Sequence, residues 1–168
     1  HYVIEIDSIV AGYRDLIEGA IGRPLTWEQD DITLQNVQAR VRAPSAWMLA
    51  NIKNALLLAT SNRSEASVGY ATMDGDTSGS ISPISGIDKS FIRTWLLWLE
   101  AQGFKGLHLV NSLEPSAELR PLSEKQVDEE DLMPYPILNT IERLVFYDLL
   151  SPHDCLEEVI KRYGSVFA

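Results

Sequence analysis

The prediction of the fold starts from a stretch near the middle of the chain that reads Leu56-Leu57-Leu58-Ala59-Thr60-Ser61-Asn62-Arg63-Ser64-Glu65. Its apolar half stops abruptly at hydroxyl and amide side chains, and a carboxylate follows three residues after an amide. An apolar strand that ends in polar groups is typical of the mouth of an α/β sheet, where ligands bind. We therefore interpret residues 56–58 as a buried strand that delivers polar side chains to a ligand.

The flanking sequence predicts two further short strands and about six helices. Residues 2–7 are apolar and β-branched, which favours a buried strand, and residues 106–110 favour another. Helical spacing covers residues 9–21, with Gly22 as the stop, and resumes at Ile32. Pro44 should kink or restart this second helix, and its apolar stripe should continue, buried, to Ala55. The pattern indicates an α/β domain with an incomplete sheet, helix-rich and with two or three short strands.

Composition excludes several classes of protein. The 168 residues carry a net charge of −10, which argues against nucleic-acid binding because phosphate contacts need clustered Lys and Arg. Small anionic ligands remain compatible with this charge, since they need only a few placed cations or backbone amides. No apolar run reaches the ~20 residues of a membrane span. We expect a cytoplasmic protein with no membrane or nucleic-acid partner.

Three features have an ordinary structural interpretation. The single cysteine, Cys155, cannot form an intrachain disulfide and is expected to be an unreactive residue in the first turn of a helix. His108 lies in an apolar run and is expected in the core rather than at a ligand. The acidic run from Asp128 to Asp131 is expected to be a solvated loop.

Asn62 and Glu65 allow two interpretations that the spacing leaves open. One is a capping box, in which the two side chains satisfy backbone amides at a helix N-terminus. The other is that Glu65 holds a hard cation such as Mg²⁺ beside a phosphate. Spacing alone favours the cap. Lys89 follows the helix cap Asp88, where a cation opposes the helix dipole, so an anion nearby would relieve it.

The ordered set of motifs resembles the synthetase domain of NAD synthetases, more closely the glutamine-dependent type than the short ammonia-dependent type. The resemblance covers nearly the whole chain, and the order of the segments is more specific than any one of them. These segments are Asn36-Val37-Gln38-Ala39-Arg40-Val41-Arg42, Thr60-Ser61-Asn62-Arg63-Ser64-Glu65, Val68-Gly69-Tyr70-Ala71-Thr72, Gly75-Asp76, Pro115-Ser116-Ala117-Glu118-Leu119-Arg120-Pro121, Asp128-Glu129-Glu130-Asp131-Leu132 and Pro134-Tyr135.

The resemblance implies a fold, a reaction and a set of site residues. The fold would be a partial Rossmann-like ATP pyrophosphatase fold, helix-rich with two or three short parallel strands. The reaction would adenylate deamido-NAD with ATP and Mg²⁺ and then use ammonia to form NAD, AMP and pyrophosphate. Matched residue by residue, the resemblance implies ATP contacts at Thr60, Lys89 and Ser116, a Mg²⁺ ligand at Glu65, and deamido-NAD contacts at Arg40 and, more weakly, Asn36.

The sequence also departs from the family pattern. Met73 and Ser80 stand where short members have a lysine and an aspartate that contact deamido-NAD. A Ser-Gly-Gly-x-Asp-Ser pyrophosphate loop, a basic closing segment and a glutaminase domain are not found in these 168 residues. We expect a single, incomplete domain over residues 1–168, inactive alone, from a homo-oligomeric parent that also carries the glutaminase domain.

Two alternatives stand beside this hypothesis. The chain could be a non-catalytic nucleotide-binding or dimerisation module derived from the same family. It could also belong to another pyrophosphatase that activates carboxylates or carbonyls. The combination of residues 36–42 with residues 115–132 argues against the latter, because the family pattern requires both segments.

Overall fold

The computed structural model describes residues 1–121 and 126–164, in which eight helices are joined by loops. The helices are α1 (Asp7–Ile21), α2 (Trp27–Lys53), α3 (Arg63–Val68), α4 (Lys89–Ala101), α5 (Leu107–Asn111), α6 (Asp128–Asp131), α7 (Tyr135–Phe146) and α8 (Pro152–Tyr163). None of the helices in these two ranges is both long and apolar enough to span a membrane. With eight helices where about six were predicted, the described part of the chain is more strongly helical than the sequence predicts.

The described residues form two compact units. The first contains His1–Ser61, Tyr70–Ser85 and residues 118–121. The second contains Asn62–Gly69, Gly86–Ala117 and residues 126–164. The boundary falls between Ser61 and Asn62, inside the stretch from which the fold was predicted.

In the first unit, α1 packs against α2. As predicted, α1 ends at Gly22, whose φ of 70° is the left-handed conformation that glycine adopts without strain. The connection to α2 is fixed by Arg23, whose Nη1 lies 2.7 Å from Asp30 Oδ2. The Thr26 amide donates to the same Asp30 oxygen at 3.1 Å. The Arg23 hydrogen bond lowers the pKa of Asp30 to about 2.

The prediction of a kink at Pro44 is wrong. Helix α2 continues through Pro44, and the residue with non-helical dihedrals is Asp30, with φ −124°. A proline inside a helix removes the hydrogen bond to the carbonyl four residues earlier, here Arg40, but its fixed φ is compatible with helical backbone. The predicted buried stripe is also wrong, because Met48 and Ile52 are 63% and 72% exposed.

The strand predictions are only partly met in the first unit. Residues 1–6 have no regular structure, and Val3 is 75% exposed, so the predicted strand at residues 2–7 is wrong. The prediction of a buried strand at residues 56–58 is wrong, because Leu56 and Leu58 are 67% and 54% exposed and the segment forms a single parallel bridge, between Leu58 and Ile81. Strand propensity takes effect only when neighbouring strands supply partners, and this bridge is the pairing seen in the two described ranges.

Gly79 allows the bridge to form. A Cβ atom at position 79 would overlap the backbone nitrogen of Ala59, so only glycine fits against this segment. The close approach lets the Ser80 amide donate to the Leu57 carbonyl at 2.8 Å and the Ala59 amide donate to the Ile81 carbonyl at 2.8 Å. The close approach of Gly79 thus sets the register in which Ser80 and Ile81 pair with residues 57–59.

In the second unit, α7 packs against α3, α4 and α8. Its apolar core joins Ile137 and Leu144 of α7 to Cys155 and Val159 of α8. Cys155 is buried in the first turn of α8, which the Ser151 hydroxyl caps by accepting from the Asp154 amide at 3.2 Å. The prediction of an ordinary helical cysteine at this place in the fold is confirmed.

The third predicted strand, at residues 106–110, is wrong because these residues lie in and next to helix α5. The expected core position of His108 is wrong as well. Its side chain is 76% exposed, and Nδ1 lies 2.9 Å from Glu100 Oε1. A short apolar run cannot distinguish a strand from one exposed helical turn, since both place apolar residues in succession.

Candidate functional site

Two residues that the sequence analysis assigned to ATP and Mg²⁺ meet in the second unit. Lys89, at the start of α4, places Nζ 2.8 Å from Glu65 Oε1 of α3. Their side chains are 21% and 15% exposed. The anion predicted to offset the position of Lys89 at a helix N-terminus is therefore present, and it is Glu65.

The capping box predicted for α3 is confirmed and coexists with this ion pair. The Asn62 side chain accepts from the Glu65 amide at 3.1 Å, and Glu65 Oε2 accepts from the Asn62 amide at 3.1 Å. The two oxygens of Glu65 thus have separate partners, since Oε1 accepts from Lys89. The cap fixes the carboxylate through one oxygen and leaves the other for a cation.

A network of buried polar side chains brings α3, α4 and α7 together around this pair. The Ser64 side chain is fully buried, and its hydroxyl donates to Asn139 Oδ1 at 3.2 Å and accepts from the Lys89 amide at 3.2 Å. Asn139 Nδ2 donates to Asp88 Oδ1 at 2.8 Å. Because each helix contributes a polar group that another helix satisfies, the network fixes where Glu65 and Lys89 lie.

Arg63 and Glu142 extend the same network. Arg63 Nε donates to Glu142 Oε2 at 3.0 Å, and its Nη2 donates to Asp88 Oδ2 at 3.2 Å. Glu142 is 3% exposed, and its second oxygen accepts from the Ser67 hydroxyl at 2.6 Å. Glu142 and Asn139 carry no signal in the sequence, because a carboxylate and an amide on an amphipathic helix are usually solvated.

Asp128 is a functional candidate that sequence reasoning missed. It is 3% exposed, which corrects the expectation of a solvated acidic loop, and it begins helix α6. The Tyr135 hydroxyl donates to Asp128 Oδ2 at 2.8 Å, and the same oxygen lies 3.8 Å from Lys89 Nζ. The Tyr135 ring lies under Lys89, with Nζ 6.0 Å from its centroid. The feature of the sequence that could have indicated a role for Asp128 is the Pro134-Tyr135 pair that follows the acidic run.

The donor set fits a hard divalent cation that is also held by phosphate. Asp128 Oδ1 is buried and has no hydrogen-bond partner in the described ranges, and Glu65 Oε1 is bound only by a lysine. Residues 1–121 and 126–164 contain no group of three or more His, Cys, Asp or Glu side chains that could hold a metal alone. Mg²⁺ is commonly held by one or two carboxylates together with substrate phosphates, which matches this composition.

Ser116 directly follows Pro115, whose backbone is hydrogen-bonded to Asp128. The Asp128 amide donates to the carbonyl of Pro115 at 3.1 Å, so the residue before Ser116 is bonded directly to the start of α6. Ser116 itself is exposed. The second unit therefore holds Glu65, Lys89 and Ser116 of the predicted set.

The first unit holds the other three predicted residues. Asn36 and Arg40 of α2 line one groove of about 1120 Å³, together with Asp74 and Ser78 of the following loop. Its walls are mainly apolar, from Ile9, Tyr13, Val37, Val41, Trp47 and Met48. Arg40 Nε donates to the carbonyl of Met73 at 3.1 Å, so Met73 contacts the groove residue through its backbone. Thr60 is exposed, beyond the Leu58–Ile81 bridge.

Two arginines link helix α2 to the segment around residue 120, one from the helix and one from the segment. Arg42 Nη2 donates to the Glu118 carbonyl at 2.8 Å, and Arg120 Nη2 lies 2.9 Å from Asp31 Oδ2. The Arg120 hydrogen bond lowers the pKa of Asp31. Arg42 is thus an exposed residue whose guanidinium also holds the backbone of the loop.

Comparison with known proteins identifies the family. The family model described as NAD synthase matches residues 1–164. The chain is 34% identical over 161 residues to the glutamine-dependent NAD(+) synthetase of Aquifex aeolicus, covering 96% of this chain and 27% of that protein. Identity to the Rhodobacter capsulatus enzyme of the same name is 34% over 151 residues. The chain thus spans about a quarter of the length of these relatives, 27% in both cases.

Solved structures agree with the sequence comparison. The crystal structure of a glutamine-dependent NAD(+) synthetase from Cytophaga hutchinsonii matches with a TM-score of 0.79 and 48% identity, over 96% of this chain and 25% of that one. The NMN synthetase of Francisella tularensis has a similar fold, with a TM-score of 0.68 at 24% identity, over 98% of this chain and 61% of that one. The chain belongs to the NAD synthase family.

Proposed function

We propose that this chain forms part of an ATP-dependent ligase that converts deamido-NAD into NAD. The proposal is supported by the family match over residues 1–164 and by one observation in particular. Glu65 and Lys89, which the family resemblance matches to Mg²⁺ and to an ATP phosphate, lie 2.8 Å apart although 24 positions separate them in the chain. A cation ligand and a phosphate ligand must be neighbours if Mg²⁺ bridges ATP to the protein.

The reaction balances in two steps. A carboxylate oxygen of deamido-NAD attacks the α-phosphorus of ATP, and pyrophosphate leaves. Ammonia then attacks the acyl carbon of the resulting mixed anhydride, AMP leaves with the former carboxylate oxygen, and the nitrogen releases a proton to give the amide. Adenylation is needed because a free carboxylate is a poor electrophile, and Mg²⁺ supplies charge neutralisation for the departing pyrophosphate when it is bound.

The proposed binding residues fall into two groups, one in each unit. In the second, Lys89 and Ser116 bind ATP, Glu65 binds Mg²⁺, and the buried network of Ser64 and Asn139 fixes their positions. In the first, Thr60 binds ATP, while Arg40 and Asn36 bind deamido-NAD in the groove. An open groove with apolar walls and a few polar groups suits the flat rings and the polar substituents of a dinucleotide.

Several properties of the whole protein belong to the same proposal. The relatives named above are glutamine-dependent, which favours ammonia supplied by a glutaminase domain over free ammonia. A cytoplasmic homo-oligomer and the ATP pyrophosphatase fold, with its parallel sheet completed outside these residues, are likewise proposed. A non-catalytic module of the same family predicts a different result in the following test.

Oxygen labelling in the full-length protein tests the chemistry. Deamido-NAD carrying ¹⁸O in its nicotinate carboxylate is incubated with ATP, Mg²⁺ and ammonia, and the products are analysed by mass spectrometry. Adenylation predicts one ¹⁸O in AMP and unlabelled pyrophosphate. Formation of ADP and labelled phosphate would refute adenylation, and binding of ATP without any turnover would favour the non-catalytic alternative.

A further inference from the structure

The ammonium group of Lys89 is paired with side chains of the protein itself. It lies 2.8 Å from Glu65 Oε1 and 3.8 Å from Asp128 Oδ2, over the ring of Tyr135. All four residues belong to the second unit, and their relative positions are fixed by α3, α4, α6 and α7. Asp128 is 3% exposed and Tyr135 is 1% exposed, so water cannot readily replace these partners.

This arrangement conflicts with the roles assigned to the same two residues. Glu65 offers a metal ion less of its negative charge while Lys89 donates to Oε1, because two cations held at one carboxylate oxygen repel each other. Lys89, in turn, cannot offer its full charge to a phosphate while Glu65 neutralises it. Glu65 need not leave its place for an exchange of partners, since Oε2 remains bound to the Asn62 amide at 3.1 Å.

We propose that Lys89 is an internal counter-ion that couples metal binding to phosphate binding in this site. Its ammonium group pairs with Glu65 and Asp128 in the structure. A phosphate that takes Lys89 frees Glu65 for the metal, and a metal that takes Glu65 frees Lys89 for the phosphate. This inference rests on the proposed function for the identity of the ligands, ATP and Mg²⁺, and adds a thermodynamic coupling between them.

The coupling has a definite sign. Each ligand alone must break the Glu65–Lys89 pair and leave one of its members without its partner in a partly buried place, which disfavours binding. When both ligands bind, each member gains a new partner of opposite charge. The two ligands therefore increase one another's affinity, and by linkage the factor is the same in both directions.

The first test uses a metal ion alone, so that chelation of the metal by ATP does not contribute. Mn²⁺ binding to the full-length protein without nucleotide is measured by electron paramagnetic resonance for the wild type, Lys89→Met and Lys105→Met. Removal of the internal counter-ion should increase Mn²⁺ affinity by at least about tenfold in Lys89→Met. Lys105 is exposed in the loop before α5, so its replacement should leave the affinity unchanged.

The second test uses ATP alone and does not depend on the folding of the lysine variant. ATP binding is measured calorimetrically in excess EDTA for the wild type, Glu65→Gln and Glu130→Gln. Glu130 is an exposed residue of α6, and its replacement removes the same charge. Glu65→Gln should bind metal-free ATP several-fold more tightly than both other proteins, because Lys89 is then released to the phosphates.

The outcomes separate the two proposals. Tighter Mn²⁺ binding in Lys89→Met together with tighter ATP binding in Glu65→Gln supports the internal counter-ion. Unchanged or weaker Mn²⁺ binding in folded Lys89→Met overturns it, as does equal ATP affinity in Glu65→Gln and Glu130→Gln. If the wild type binds no ATP even with Mg²⁺ present, the proposed function itself fails.

Discussion

The Tyr135 hydroxyl donates a 2.8 Å hydrogen bond to Asp128 Oδ2, and both side chains are almost completely buried. The other oxygen of Asp128 has no hydrogen-bond partner in the described ranges. A buried carboxylate with one satisfied oxygen depends strongly on that single neutral donor and on the nearby cation, Lys89. Tyr135 therefore supports the charge cluster as well as the core of α7.

Removing this hydroxyl should destabilise the protein. We expect Tyr135→Phe to lower the free energy of unfolding by about 1–3 kcal/mol, because it leaves a buried acceptor unpaired without changing the packed ring. Urea unfolding measures the change. Tyr147→Phe is the matched control, since Tyr147 is 73% exposed and should change stability by less than about 0.5 kcal/mol. Equal stability of the two variants would show that Asp128 does not depend on the tyrosine.

The Arg63–Glu142 pair gives a second prediction. Glu142 is 3% exposed, so Arg63→Met would leave a buried carboxylate without its cation and should cost about 3 kcal/mol in stability. Arg143→Met is the control at the adjacent position of α7, because Arg143 is 74% exposed and 3.9 Å from Asp148. That variant should differ from the wild type by less than about 1 kcal/mol in urea unfolding. A small effect at position 63 would mean that Ser67 alone satisfies Glu142.

Local signals in the sequence predicted several helix ends, although α2 begins at Trp27 and not at Ile32. The cap formed by Asp88, the stop at Gly22 and the capping box of Asn62 and Glu65 depend on residues close in sequence, so they can be recognised without tertiary information. Strands could not be predicted equally well, because a strand exists only with a partner. Residues 2–7 and 106–110 have a composition typical of strands, but within the described ranges no strand pairs with them.

The site was predictable in part for a related reason. Glu65 was singled out because it belongs to a recognisable motif and Lys89 because it follows the helix cap Asp88, and the structure brings the two together. Asp128 was missed because four consecutive acidic residues usually face water, whereas Tyr135, Lys89 and the Pro115 carbonyl give the first of them buried partners. Tyr135 is close in sequence, but Lys89 and Pro115 are farther away, so the local pattern around residue 128 does not reveal these two partners.

The groove in the first unit gives a prediction about substrate affinity. If Arg40 contacts deamido-NAD, Arg40→Met in the full-length enzyme should increase KM for deamido-NAD by about 10–100-fold, the effect of losing a charged hydrogen bond. KM for ATP should stay within a factor of about two. Arg93→Met, at an exposed position of α4, is the control and should change neither constant. An equal increase in both constants would indicate a general structural role for Arg40.

Acid should weaken the connection between α1 and α2. The pKa of Asp30 is lowered from 3.8 to about 2, chiefly by its hydrogen bond to Arg23, so folding favours the ionised carboxylate. Its contribution to stability is complete above about pH 4 and is lost as the pH falls towards 2. The difference in urea midpoint between wild type and Asp30→Asn should therefore shrink over this range. Asp15→Asn, at an exposed position of α1, should follow the wild type, and a difference that grows on acidification would contradict the assignment.

The role of Glu65 is the centre of the proposed function, and one substitution tests it directly. Glu65→Gln removes the charge while glutamine can still complete a capping box, so the helix should be retained. Pyrophosphate release from ATP, dependent on deamido-NAD and Mg²⁺, is measured in the full-length protein, with Glu130→Gln as the charge-matched control. We predict a loss of at least about 100-fold for Glu65→Gln and none for Glu130→Gln. A wild-type rate in folded Glu65→Gln would contradict the assignment of Glu65 as the metal ligand.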